Sequence, residues 1–173
     1  MTTRSIAGDD QGRPKVAMTK STASSSSAAA RGGPLELRAW IRLLECAKII
    51  EKRLRRNFEE QYDTTLPRFD VLATLARSEA GMRMGELSRA LLVSNGNVTA
   101  VVRQLQEECL VAATPDPEDR RSAIVSLTPT GHVRFEELAS AHHGWVLEAL
   151  SDFPEDKQRV LLDLLTELKT SLV

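Results

Sequence analysis

From Leu35 to the end of the chain, apolar residues recur at intervals of three and four, the spacing that lines one face of a helix. Over residues 35–60, Leu37, Trp40, Leu44, Ala47, Ile50, Leu54 and Phe58 form one such line with Arg and Lys opposite, predicting a single long helix. A helix of that length overhangs a small domain, so part of its apolar face needs a further surface to cover it. A second helix is expected over 66–76, with Phe69, Leu72 and Leu75 inward and Pro67 in the first turn, where a missing N–H costs little. Ser78 to Gly81 breaks the pattern. Beyond it, from Met82, Leu87, Leu91, Val98, Val101, Val102 and Leu105 predict two short helices about a tight turn, the second over 95–108. The period then shortens. Leu110 to Ala113 and Ala123 to Leu127 read as the strands of a hairpin around PDPEDRR, whose two prolines keep the loop out of a helix. Helical spacing returns over 130–150, through Phe135, Leu138, His142, Trp145 and Ala149. After Phe153 and Pro154 it resumes over 155–172, through Val160, Leu161, Leu164, Leu165, Leu168 and Leu172. The expected fold class is mainly α with a small β-wing.

Two short helices about a turn, followed by a hairpin, make a winged helix-turn-helix, and the polar residues sit where that architecture meets DNA. Ser94 is placed to cap the second helix, its hydroxyl accepting from a backbone N–H two or three residues on. Asn95, Thr99, Arg103 and Gln106 then share an outward face, with Asn97 in the first turn, while Val98, Val102 and Leu105 turn inward. That outward set carries no carboxylate. Asn and Gln pair bidentately with adenine, Arg with guanine, and a Thr methyl meets the thymine methyl. Gly96 leaves room for a phosphate near the positive end of the helix dipole. By itself the face reads equally well as a solvated helix start; the hairpin beyond it tips the reading toward double-stranded DNA. Arg120 and Arg121 project from that hairpin, where a guanidinium can enter the minor groove, and Asp119 is close enough to orient one of them.

Composition qualifies this picture. At 42% hydrophobic and 27% charged, the 173-residue chain is ordinary for a globular protein. Its net charge of −1 lends no support to nucleic-acid binding, so affinity must come from a local arrangement of charge. Residues 1–34, including STASSSSAAA, hold too little apolar surface to offset their ordering entropy and are expected to form a disordered tail. The remainder divides into an N-terminal dimerisation helix at 35–62, a winged helix-turn-helix at 63–131 and C-terminal dimerisation helices at 132–173. The terminal helices carry more apolar surface than the reading head can cover, and a two-fold homodimer is the economical solution. No apolar run spans a membrane, and two cysteines far apart in sequence suit a reducing cytoplasm. No enzyme is expected, for there is no phosphate loop and no histidine beside a plausible nucleophile. Neither a metal nor a cofactor is expected: the adjacent His142 and His143 point in different directions on a helix.

The segments ELSRALLVSNGNVTAVVRQLQEECLV and DPEDRRSAIVSLTPTG resemble the MarR family of winged-helix transcriptional regulators, with LTPTG the most specific part and the match covering roughly 35–173. The resemblance implies a bacterial homodimer, most simply a repressor, that leaves an inverted-repeat operator when a small aromatic ligand binds. It places Asp119 and Arg121 in the family's wing Asp-x-Arg, the Arg going to the minor groove. It places the ligand between the dimerisation helices and the reading head, at Trp40, Arg42, Phe69, His142 and Trp145. An aromatic stripe at helical spacing is also what a plain core looks like. SNGNVT and HHGWV further resemble a branch controlling aromatic-acid catabolism and sensing hydroxycinnamoyl-CoA thioesters, in which Arg38, Arg42 or Arg53 would meet CoA phosphates. Two departures stand out: Arg103 and Gln104 replace the usual acid and Arg, and Cys109 replaces the Gly after the recognition helix. The alternatives are a redox-sensing member, through Cys46 or Cys109, and a winged-helix module that docks protein without binding DNA.

Overall fold

A computed structural model of the chain describes residues 33–119 and 122–172. The elements run α1 (Leu35–Tyr62), α2 (Leu66–Leu75), β1 (Met82–Arg83), α3 (Met84–Leu91), α4 (Asn95–Glu107), β2 (Val111–Pro115), β3 (Ala123–Leu127), α5 (Pro129–Leu150) and α6 (Glu155–Ser171). The expected mainly α class with a β-wing holds. The tail expected at 1–34 falls almost wholly outside the described residues. The chain divides into two compact units, Met1–Leu44 and Glu45–Val173. In the first unit, the described residues include the opening of α1, where Leu35, Leu37 and Trp40 are exposed.

In the second unit, Leu54 and Phe58 of α1, Leu72 and Leu75 of α2, Leu87 of α3, Val98 and Leu105 of α4, and Leu138 of α5 are buried together. These are the positions the three-and-four spacing singled out. Burying each such side chain contributes about 1.5–3 kcal/mol, enough for one shared core to hold five helices in register. By contrast, α6 buries none of its residues, and Leu161, Leu164, Leu165, Leu168 and Leu172 are all exposed.

The sheet corrects the sequence reading. Met82 and Arg83, read as the start of a helix, form β1 and pair antiparallel with Val125 and Ile124 of β3, so α3 begins at Met84. A two-residue strand has no period to detect; its partner lies some forty residues downstream. Gly81 makes the entry possible: its φ is +75°, and a Cβ there would lie 2.6 Å from the Val125 carbonyl oxygen. β3 is central, in the order β1-β3-β2, and β2 runs to Pro115, longer than the expected Leu110 to Ala113. Pro115 is tolerated at the end of an edge strand, where a missing donor matters least.

Candidate nucleic-acid interface

Helix α4 sorts its residues cleanly. Val98, Val102 and Leu105 are buried, while Ser94, Asn95, Asn97, Thr99, Arg103 and Gln106 are exposed along the opposite side. Ser94 stands at the N-cap position, yet its hydroxyl makes no capping hydrogen bond, contrary to expectation. Its carbonyl accepts from Asn97 and Val98 N–H instead, at 3.1 and 3.3 Å, which leaves the hydroxyl available to another acceptor or donor. Thr99 donates its hydroxyl back to the Asn95 carbonyl at 2.8 Å, so its methyl is the group left to face outward. A Cβ at Gly96 would meet nothing within 4 Å. Arg103 lies 3.9 Å from Glu107 one turn on, a loose exposed pair that leaves the guanidinium easy to redirect.

The end of α4 shows what Cys109 does in place of glycine. Its φ is +58°, so the left-handed conformation is adopted and the strain accepted. Leu110 N–H donates to the Leu105 carbonyl at 2.9 Å and Cys109 N–H to that of Gln106 at 2.9 Å, the paired bonds of a Schellman turn. The LTPTG segment locks onto this turn. Thr128 donates its hydroxyl to the Cys109 carbonyl at 2.7 Å and accepts from Gly131 N–H at 2.9 Å, capping α5. Gly131 lies so close that a Cβ would be 1.9 Å from the Leu110 carbonyl oxygen. The most distinctive motif in the sequence is therefore a joint between α4 and α5.

In the wing, Ser122 N–H donates to the Asp119 carbonyl at 2.8 Å, closing the loop. Arg120 and Arg121 lie outside the described residues, so the expected minor-groove contacts are carried forward from sequence. Sequence reasoning passed over Asp116, which is 2% exposed despite standing in an acidic loop, and its partner Arg83. Arg83 donates from Nε to Asp116 and from Nη2 to Glu118, the latter at 2.9 Å.

Of the expected effector residues, Phe69, His142 and Trp145 come together. The His142 ring stacks on Phe69 at 4.7 Å, Phe58 lies 4.9 Å from both Phe69 and Trp145, and Tyr62 meets Trp145 edge-on at 5.8 Å. Phe58 was legible only as a core position and Tyr62 gave no signal. Burial, and secondarily the charge of His143, holds the His142 imidazole below its usual pKa. A cleft of about 530 Å³ opens beside this cluster, lined by Phe69, Asp70, Arg77, Leu91, Phe135 and His142 among others. A neighbouring cleft of about 630 Å³ joins Trp145 to Arg53, Arg56 and Asn57. Trp40 and Arg42 belong to the other compact unit, and both are exposed. Among the described residues no group of His, Cys, Asp and Glu converges as a metal site, and no helix is long and apolar enough to cross a membrane.

A helix-turn-helix whose second helix exposes a polar ridge with no carboxylate before Glu107, braced by a hairpin wing, defines a winged-helix DNA-binding regulator. A family model described as MarR family matches residues 62–122. The transcriptional activatory protein BadR of Rhodopseudomonas palustris is 34% identical over 142 residues, covering 79% of this chain and 79% of its own. A MarR-like transcription regulator from Bacillus cereus superimposes with a TM-score of 0.71 at 23% identity, covering 82% of this chain and 100% of that one. A MarR family regulator from Streptomyces coelicolor, solved in complex with DNA, gives a TM-score of 0.70 at 22% identity over 79% of this chain and 87% of its own. The chain belongs to the MarR family. It is a DNA-binding transcriptional regulator and not an enzyme.

Proposed function

We propose that the protein acts as a homodimer in the cytoplasm, binds an inverted-repeat operator and leaves it when a small aromatic effector binds, so that it represses the adjoining genes. The observation that carries this reading is the exposed ridge of α4 opposite a buried apolar stripe. Asn95, Asn97 and Arg103 read base edges in the major groove, the Thr99 methyl meets thymine, and Ser94 binds phosphate. Arg120 and Arg121 meet the DNA from the wing, the Arg121 guanidinium entering the flanking minor groove with Asp119 orienting one of the two. Two-fold symmetry sets the half-sites about 34 Å apart.

For the effector, the cleft lined by Phe69, Phe135 and His142 is within the usual size for small ligands and floored by aromatic rings. Its other wall is Ala90 and Leu91 at the end of α3, so a ring wedged there pushes on the helix that sets the pose of α4. An aryl-CoA thioester fits the same chemistry: the aryl group stacks beside His142, and Arg53 and Arg56 beside Trp145 meet phosphates. Activation in place of repression is the second reading, favoured by the name of the R. palustris relative, an activatory protein. The sign depends on where the operator lies relative to the promoter.

The test is affinity selection of genomic fragments on the purified protein, followed by binding to the recovered duplex. We expect an inverted repeat, and affinity falling about a thousandfold between 50 and 200 mM salt if six or more phosphates are neutralised. Asn95→Ala should relax base preference more than it lowers non-specific affinity, and hydroxycinnamate or its CoA thioester should release the DNA. Salt-insensitive or undetectable duplex binding would instead support a protein-docking module.

A further inference from the structure

We propose that Arg83 and Asp116 form a clasp that sets the wing against the helix-turn-helix, which makes Arg83 a positioning residue for DNA binding from outside both reading elements. The inference rests on the wing contact of Arg121 proposed above. Arg83 is anchored twice through its backbone: it pairs with Ile124 of β3, and its N–H donates to Glu86 Oε2 at 2.9 Å, capping α3. From that fixed point the guanidinium reaches across to the wing, donating to the Asp116 carboxylate and to Glu118.

The Asp116 side chain is 1% exposed, and it organises the base of the loop. Its Oδ1 accepts from Glu118 N–H at 2.9 Å, and its own N–H donates to the Ser122 carbonyl at 3.1 Å. A carboxylate shielded to that degree is costly unless its charge is matched, so the shape of the wing depends on a cation 33 residues earlier in the chain. Glu118, 83% exposed, adds little by itself. The Arg83 guanidinium first, and the Glu118 N–H second, hold the Asp116 carboxyl below the ordinary carboxylate range, which favours the charged form of the clasp. Loss of Arg83 leaves the hairpin ladder intact but removes the tie between the wing base and the start of α3.

The experiment uses the full chain and the operator recovered by genomic selection, comparing Arg83→Gln, Asp116→Asn, Arg121→Ala and the Arg83→Gln/Arg121→Ala double variant. Arg83→Gln is expected to weaken binding about tenfold, with protection lost at the operator flanks and the bases read by α4 selected as before. In the Arg121→Ala background the same substitution should cost nothing further, because it acts through the wing. Asp116→Asn, nearly isosteric, should reproduce the flank loss, and thermal unfolding of each variant separates it from global destabilisation. The clasp is overturned if Arg121→Ala weakens binding while Arg83→Gln does not, or if the two losses add in full. An Arg121→Ala protein that binds like wild type would overturn the wing contact itself, a different failure from that of the clasp.

Discussion

Cys109, like Asp63 and Leu92, is a non-glycine residue held in the left-handed region, and it stands at the turn that ends α4. A non-glycine side chain in the left-handed region costs roughly 1–2 kcal/mol, against the roughly 0.5–1 kcal/mol that glycine loses in unfolded-state entropy. Cys109→Gly should therefore stabilise the fold by about 0.5–1 kcal/mol, seen as a rise in the denaturant midpoint at unchanged slope. A loss of stability would show that the Cys109 side chain makes a compensating contact. His142 gives a second test. Its folded pKa is depressed, so between that value and the unfolded value of about 6.5 the unfolded chain binds more protons. Stability contributed by neutral His142 is thus complete above about pH 6.5 and declines as pH falls toward the folded value. His142→Phe should flatten that decline in denaturation experiments between about pH 5 and 7; an unchanged slope would place the titration elsewhere. At this scale the sequence was partly readable. The glycine-to-cysteine departure was visible in a string of letters, whereas Asp116 gave no signal within PDPED, because the arginine that pairs with it is 33 residues away.

The elements were easier to read than the residues, since a helix repeats its signal over several turns. α2, α4, α5 and α6 fall within one or two residues of the expected spans, and α1 runs two residues past its own to Tyr62. β1 escaped because two residues cannot display a period and their pairing is non-local. The two glycines at element junctions have opposite roles, and substitution separates them. Gly131 packs on the Leu110 carbonyl, so Gly131→Ala must displace backbone and should destabilise by about 1–3 kcal/mol or more in equilibrium unfolding. Near-neutral behaviour would mean that the joint between α4 and α5 is softer than its geometry implies. Gly96 is open on all sides, so Gly96→Ala should hold or slightly raise stability through its helix preference. If a DNA phosphate approaches the first turn of α4, the same methyl should weaken operator binding. Tighter or unchanged binding would move the phosphate away from that turn.

At the scale of the whole molecule, α6 carries apolar surface that no described residue covers. Leu161, Leu165, Leu168 and Leu172 repeat at three and four along α6 and are 41%, 37%, 43% and 76% exposed. A single leucine so placed is unremarkable, but a stripe of four on a helix with no buried residue is an interface waiting for a partner. In the proposed homodimer a second copy would satisfy it by symmetry and at the same time double the DNA contact. Replacing Leu165 and Leu168 with Glu should leave each chain folded, since neither side chain belongs to the core, and should convert the proposed dimer to monomer in sedimentation. Each monomer then engages one half-site, and without the linked second contact operator affinity should fall by about 10²–10⁴-fold. Non-specific binding, which needs no symmetry, should fall far less. A variant that sediments as a dimer would remove α6 from the interface. A monomer that binds the full operator as tightly as wild type would show that pairing contributes nothing to recognition, and the inverted-repeat prediction would go with it.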